Sequence, residues 1–427
     1  MSQHLVHGTS NLSLGSGIAT KVIIIGAGLG GLTLAQSLRR SGIPFKIFER
    51  DASIGARPQG YRIKIHSEAS ASLRSVLTPE LWHRFENTCG KTVLGESNLN
   101  ALNGSVTASR KWRPGAGDGD IYSVDRSVLR HVLQQGLSDD GSDVISWNKE
   151  FLRYELRDDG TVEAHFKDGS SEWGSLLVGA DGTRSRVTKQ LIPDYSILDV
   201  EGLCVYGKTP ITPALEAAAP PALLRWIAIS RDEPPVIQGI VQGNDTISLL
   251  TEPMKFQSAY RQRFPEIPSD YVYWGLIMRR RVVASSDKEM QDVLKVPGKA
   301  LSLDITSEWH PSVRAILEQQ DETYTSAIQI LSSRPQVPEW KSEPRVTLLG
   351  DAIHVMSPAG GVGACTAIRD GFVLGAQLAE KGVGLESVAA YEQQMRRYAT
   401  RSLQRSLAGG MKMFNQPPFD QCAEVQI

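Results

Sequence analysis

The 427-residue sequence predicts an α/β chain: a central parallel sheet with a mainly β domain inserted between its pieces and helices at the C-terminal end. Three observations predict it. The aliphatic run Val22-Ile-Ile-Ile25 leads straight into Gly26-Ala-Gly-Leu-Gly-Gly31. Two further strand-like runs, Leu176–Val178 and Val346–Leu349, end at Gly179-Ala-Asp-Gly182 and Gly350-Asp351. Between about 200 and 280 the chain turns to aromatic residues, prolines and short β-rich pieces such as 236–241.

Each element has a local reason. Val22–Ile25 is β-branched without alternation, which suits a strand buried on both faces. Leu29, Leu32, Ala35 and Leu38 recur at helical spacing, and Gly42 fits a helix stop. Phe45–Phe48 reads as a second strand ending at Glu49, closing a βαβ unit of about 30 residues. Residues 123–137 read as a helix with Val128, Leu129, Val132, Leu133 and Leu137 on its apolar face. Asp159-Gly160 and Asp168-Gly169 are turn dipeptides between strand-like pieces. Thr366–Glu380 reads as a helix.

The resulting division is discontinuous. Residues 1–20 form a flexible N-terminal extension. Residues 21–90, 114–195 and 285–400 form a cofactor domain. Residues 91–113 and 196–284 form a β-rich substrate domain, and 401–427 a helix end and tail.

Composition narrows the function. Charged residues are 22% and net charge is −1, so no global field draws the chain to nucleic acid or an anionic membrane. The four cysteines, Cys89, Cys204, Cys365 and Cys422, are scattered without metal-like spacing, and no cluster calls for a metal. The N-terminal residues lack a signal-peptide pattern and no run approaches the ~20 apolar residues of a membrane span, so a soluble, cytoplasmic protein is expected. Glycine is in excess, 39 residues against roughly 30 at average usage of ~7%.

Much of that excess sits in the strand-end clusters. Gly26, Gly28 and Gly31 make G-x-G-x-x-G, the fingerprint of a Rossmann-like dinucleotide site. The first glycine permits the tight turn, the second lets backbone approach a pyrophosphate, and the third lets helix and strand pack closely. The helix N-terminus offers free N–H groups to the phosphates. Glu49 follows about 20 residues on, where a carboxylate accepts ribose hydroxyls and repels a 2′-phosphate. FAD or NAD is thereby favoured over NADP, and the fingerprint alone does not separate the two.

Leu176-Leu-Val-Gly-Ala-Asp-Gly-Thr-Arg-Ser-Arg-Val187 resembles the Asp-Gly motif of the single-component (group A) flavoprotein aromatic hydroxylases, whose fold is that of para-hydroxybenzoate hydroxylase. Leu348-Leu-Gly-Asp-Ala-Ile-His-Val-Met-Ser-Pro-Ala-Gly-Gly-Val-Gly363 resembles their Gly-Asp motif, and Asp125-Arg-Ser-Val-Leu129 their intervening helix. The resemblance implies an FAD-binding Rossmann-like domain, with Asp351 on a ribityl hydroxyl and Pro358, Gly361 and Gly363 bringing backbone N–H groups to the flavin ring. It implies contacts to FAD from Arg126 and Asp181, and places Arg57 beside the flavin. A surface arginine at 126 and a plain turn at Asp181-Gly182 are the alternatives. His354 reads as a packing histidine.

Two positions depart from the family pattern. Thr188 stands where an arginine is common, with Arg184 or Arg186 as substitutes. Cys365 stands where an asparagine is common, either as inert packing or as a reactive or covalent flavin position.

The implied chemistry is that of a monooxygenase. NAD(P)H binds transiently and reduces FAD, and a flavin C4a-hydroperoxide hands one oxygen atom of O2 to a small organic substrate, by hydroxylation or epoxidation. Substrate candidates are Trp226, Tyr271, Tyr273 and Trp274, with Tyr271 and Tyr273 on one strand face and Trp274 on the other, so they cannot all line one pocket; core packing of the inserted sheet is the bland reading for each. No residue stands out as a catalytic base. A flavin dehydrogenase or oxidase on the same scaffold and a non-catalytic FAD-binding protein are the competing readings.

Overall fold

The computed structural model describes residues 20–56, 60–112, 120–138, 143–232 and 246–426. Arg57 and the β-rich piece 236–241 lie outside them.

A five-stranded sheet forms the centre of the first layer. Its order is Val346–Leu348, Leu176–Gly179, Val22–Ile25, Phe45–Phe48, Ile145–Ser146. Every pairing is parallel, so all carboxyl ends lie along one edge. The strand Val22–Ile25 is buried throughout, as expected for an aliphatic run covered on both faces. The chain leaves it in opposite directions to its two neighbours, which opens a crevice at its carboxyl end.

The helix Leu29–Arg40 covers one face and packs against the helix Gly363–Lys381. That approach needs glycine. A Cβ on Gly30 would lie 2.7 Å from Leu349, and one on Gly371 would lie 2.5 Å from the Gly30 carbonyl oxygen. The 30-residue helix Leu385–Phe414 packs outside them.

Local chemistry moved two boundaries. Only Arg126–Gln134 of the expected 123–137 helix is helical, and Tyr122–Asp125 is a strand paired with Arg62–Ile65. The Asp125 carboxylate caps the helix, accepting from Ser127 N at 2.9 Å and Val128 N at 3.3 Å, and so fixes its start at Arg126. The helix expected from Thr366 begins at Gly363, inside the glycine loop. The Asp-Gly hairpins form as expected, with Gly160 and Gly169 both at φ +84°.

The second layer is an eight-stranded sheet. Along it run Asp321–Ser332, Ser196–Pro210, Tyr271–Arg279, Ser248–Met254, Ile227–Arg231, Gly95–Asn100 and Val106–Lys111, with Ala423–Gln426 added beside Ser196–Pro210. Helices between residues 287 and 318, with the strand Asp321–Ser332, build onto this sheet, so its material extends past residue 284. The outer face carries Leu203, Val205, Trp274, Leu276 and Met278 under those helices. The inner face carries Cys204, Tyr206, Ile229, Leu250 and Ile277, which pack with Phe414 and with Ala359 of the glycine loop. The two layers therefore meet at the loop that follows Asp351.

Candidate functional site: a dinucleotide crevice facing an apolar sheet

The fingerprint glycines divide into structural and open positions. Gly26 has φ +113°, and a Cβ there would lie 2.3 Å from the Ala180 carbonyl oxygen. A Cβ on Gly31 would lie 2.2 Å from the Gly26 carbonyl oxygen and 3.3 Å from Ile24. These two hold turn, helix and strand together. Gly28 caps the helix Leu29–Arg40, and a Cβ there would meet no chain atom within 4 Å. The space in front of this helix N-terminus is the space a pyrophosphate needs.

The Glu49 carboxylate sits at the end of the second strand. It accepts from Ala27 N at 2.8 Å through one oxygen and from Asp51 N at 3.0 Å through the other. One lone pair on each oxygen remains for ribose hydroxyls. Arg130 was not picked out by sequence reasoning. It is 5% exposed, and its guanidinium donates to Ala27 O at 3.2 Å and Ile54 O at 3.1 Å, bracing the glycine turn. Its one visible signal is a charge four residues after Arg126 on an apolar helix.

The Asp-Gly motif folds around its aspartate. Asp181 accepts from Ser185 Oγ at 2.6 Å and Arg186 N at 2.9 Å, and burial pushes its carboxyl above the ordinary value against those bonds. The Arg186 side chain turns away to Phe151 O at 2.6 Å and Glu150 at 2.8 Å. Thr188 is buried and donates to Ala352 O at 2.6 Å, tying the Asp-Gly turn to the Gly-Asp turn.

Asp351 opens the short helix after the strand Val346–Leu348. Its side chain is exposed at the crevice, yet enough protein surrounds it that burial raises its carboxyl above the ordinary range. His354 and Arg126 pull the other way, and Asp370 adds to the rise. Arg126 thus reaches the field of Asp351 from a separate helix. Arg126 also lies over the Tyr61 ring, 5.4 Å from its centroid, and Tyr61 meets Tyr206 of the large sheet edge-on at 5.5 Å.

Behind Asp351 lies a buried network. Asp370 accepts from Gly350 N at 2.7 Å and Tyr398 OH at 2.6 Å, and lies 2.6 Å from His354 Nε2. Gly350 is at φ +63°, and the Asp370 bond to its amide holds that conformation. His354 is fully buried, and although burial pulls its pKa down, Asp370 with Asp351 and a backbone hydrogen bond together hold it above the ordinary value. Asp370→Ala strips all three partners and is expected to cost about 3–5 kcal/mol in urea unfolding. A loss under about 1 kcal/mol would show that the turn holds itself.

The loop Pro358–Gly363 is pinned to the long C-terminal helix. Ser406 Oγ donates to Ser357 O at 2.7 Å, and a Cβ on Gly409 would lie 2.5 Å from Ala359 O. Gly361 is at φ +62° with no atom within 4 Å of a Cβ, so this loop also fronts open space. Cys365 is buried, donates to Lys64 O at 3.2 Å, and burial pushes its thiol up to about 11. That favours the packing alternative over a reactive thiol.

The aromatic candidates separate. Trp274 is fully buried in the outer core of the sheet, away from the crevice. Trp226 is 4% exposed, donates to Ser97 Oγ at 2.7 Å and packs on Gly95. Tyr271 is 3% exposed and donates to Asp125 at 2.8 Å. Tyr273 alone of the four is half-buried on the inner face, with Arg62 over its ring. Tyr61 and Tyr206, which meet edge-on beside Arg126, were missed because nothing local marks a half-buried tyrosine as one that meets another layer.

Open space thus lies in front of Gly28 and again in front of Gly361, with Glu49 and Asp351 following strands whose carboxyl ends share one edge of the sheet. The residues fit an extended dinucleotide, with hydroxyl acceptors at two places along it. The chain matches the family described as FAD binding domain over residues 19–196 and 307–406.

The chain belongs to the single-component FAD-dependent monooxygenases of the para-hydroxybenzoate hydroxylase-like family.

Relatives of this family support that placement. The dual O-methyltransferase/FAD-dependent monooxygenase CTB3 of Cercospora beticola is 41% identical over 424 residues, 96% of this chain and 48% of that protein. The chain therefore spans about half the length of that relative. The FAD-dependent monooxygenase thnD of Trichoderma harzianum is 29% identical over 83% of this chain and 81% of its own. A solved structure described as an FAD-containing monooxygenase, from Photorhabdus luminescens, is 28% identical with a TM-score of 0.75, covering 92% of this chain and 98% of that one. FAD is the cofactor this family's fold holds.

Among the described residues no helix is long and apolar enough to cross a membrane. One group there, Glu155, Glu163 and His165, has metal-like proximity, but Glu155 and Glu163 already pair with Arg153 and Arg157.

Proposed function

We propose that this monooxygenase takes electrons from NAD(P)H and inserts one atom of O2 into a flat, largely apolar aromatic substrate, by hydroxylation or epoxidation. The observation that carries this reading is the inner row of the large sheet. Tyr206, Gly275, Leu250 and Ile229 stand in cross-strand register on one face. Tyr206, Leu250 and Ile227 are half-buried, and they and Ala359 of the glycine loop pack against one apolar cluster. Gly275 leaves a low point, since a Cβ there would meet only Tyr273, at 3.3 Å. An apolar floor beside the loop that fronts the flavin suits a planar ring and excludes water.

Bound FAD supplies the oxygen activation. The chain's own residues position and shield. Gly28 and the helix N-terminus hold the pyrophosphate, Glu49 the ribose and Asp351 the ribityl chain. Arg126 places positive charge between Asp351 and the sheet, and the amides after Pro358, through Gly361 and Gly363, stabilise negative charge near the ring. Asp181 and Arg57 complete the cofactor-binding set, and Tyr273 contributes to the substrate wall. The cofactor segments 21–90 and 114–195, with the part of 285–400 that follows the strand Asp321–Ser332, act with the large sheet as one catalytic unit. The reductant binds transiently, because the sequence has one complete fingerprint. The cytoplasm, which supplies NAD(P)H, is the proposed setting.

The Cercospora relative joins this chemistry to O-methylation. That favours hydroxylation, because a new phenolic hydroxyl is the acceptor an O-methyltransferase requires. The test is NADH and NADPH oxidation by the flavin-loaded protein across a panel of polyphenolic aromatics. Substrate-stimulated oxidation with one oxygen atom from 18O2 in the product is expected. Hydrogen peroxide as the sole product with every substrate would overturn the reading in favour of an oxidase.

A further inference from the structure

Arg126 is one residue from a buried junction between the two layers. Asp125 is 1% exposed. Its Oδ1 caps the Arg126 helix, while its Oδ2 accepts from Lys208 Nζ at 2.6 Å and Tyr271 OH at 2.8 Å. Lys208 and Tyr271 both belong to the large sheet, on the strands Ser196–Pro210 and Tyr271–Arg279. One carboxylate therefore joins the sheet to the helix that presents Arg126.

The junction is built around the ammonium group. Lys208 is 7% exposed, and its Nζ lies 4.3 Å from the Tyr271 ring centroid and 4.6 Å from that of Tyr324. A Cβ on Gly60 would come within 2.8 Å of the same nitrogen, so a glycine there leaves room for it. The residue after Gly60 completes the arrangement. Tyr61 accepts from Arg126 N at 3.0 Å through its carbonyl, and its ring lies under the Arg126 guanidinium. Arg126 is thus fixed at its backbone by the Asp125 cap and by Tyr61, and both contacts border Lys208.

We propose that Lys208 and Tyr271 are positioning residues for Arg126, acting through Asp125, so that the docking of the substrate sheet sets the cofactor-side arginine. The proposal rests on the assignment of Arg126 to FAD. A purely structural ion pair would stabilise the fold without regard to Arg126. A positioning pair loses its effect on FAD once Arg126 is gone.

The experiment is a double-mutant cycle read as FAD dissociation constants of the full chain, by quenching of flavin fluorescence, with thermal unfolding alongside. Arg126→Ala is expected to weaken FAD binding at least about tenfold. Lys208→Met is expected to weaken it about tenfold and Lys208→Arg less than threefold, while Lys208→Met in the Arg126→Ala background adds less than twofold. Tyr271→Phe, which keeps the ion pair, is expected to weaken it about threefold and serves if Lys208→Met does not fold. Unaltered affinity in Arg126→Ala removes the assignment and the proposal together. An intact effect of Arg126→Ala overturns the proposal alone if Lys208→Met, or Tyr271→Phe in its place, leaves affinity within 1.5-fold of the parent or adds its full effect to Arg126→Ala.

Discussion

Gly28→Val is expected to abolish FAD retention while leaving the chain folded. The two outcomes separate because the fingerprint glycines do different work. A Cβ on Gly28 meets no chain atom within 4 Å, and the residue sits at φ −74°, which valine adopts without strain. The added methyl groups enter only the space in front of the helix N-terminus, where the phosphates belong. A loss of at least about 100-fold in FAD affinity is expected, about 2.7 kcal/mol. Gly31→Val is the opposite case. Its Cβ would lie 2.2 Å from the Gly26 carbonyl oxygen, so the helix must leave the strand and the fold suffers first. Flavin absorbance after purification and the melting temperature by circular dichroism distinguish them. A yellow Gly28→Val protein would remove the pyrophosphate from that helix.

The contrast shows why the cofactor domain was legible. Each fingerprint position has its own local cause, and those causes are written in residue types at fixed spacing. The strands Val22–Ile25, Leu176–Gly179 and Val346–Leu348 announced themselves as unbroken apolar runs because a parallel sheet is covered on both faces. The Asp125 cap was equally local and was missed, although an aspartate before an apolar helix is a known start signal. The second layer was less legible for a different reason. Its strands place Lys208 opposite Tyr273 and Tyr206 opposite Gly275, and cross-strand register is set by partners far away in sequence. The strand Asp321–Ser332, with mostly exposed or half-exposed residues, carries little apolar signal and was absorbed into the wrong neighbourhood. Trp274 and Tyr273 are adjacent in sequence yet reach opposite sides of the sheet. The alternation was visible, but which side faces the crevice depends on how the whole sheet docks.

Asp351→Asn is expected to weaken FAD binding and to stabilise the cofactor-free protein at neutral and alkaline pH. Burial raises the Asp351 carboxyl above its unfolded value, so the folded chain without cofactor holds its proton more tightly than the unfolded chain does. Its stabilising contribution is complete below the unfolded value near pH 3.9 and is lost as pH rises through the folded value. Above that window the wild-type carboxylate is a charge partly withdrawn from water, opposed only in part by His354 and Arg126. Asparagine carries no such charge, so the variant's melting temperature should exceed wild type at pH 8 and converge with it near pH 4. The cofactor reverses the balance. Hydroxyl donors from the ribityl chain favour the ionised carboxylate, so FAD binding should release a proton and strengthen as pH rises through the same window. Replacing a charge-assisted hydrogen bond by a neutral one should weaken binding about tenfold at pH 8 and flatten that slope. Thermal melts and FAD titrations from pH 4 to 8 test both arms. A variant less stable than wild type at pH 8 would mean the carboxylate is satisfied without FAD, and an unchanged affinity would place the ribityl chain elsewhere. The raised Asp181 carboxyl gives the cofactor-free chain a second slope of the same sign, so the variant should keep part of its pH dependence rather than lose all of it.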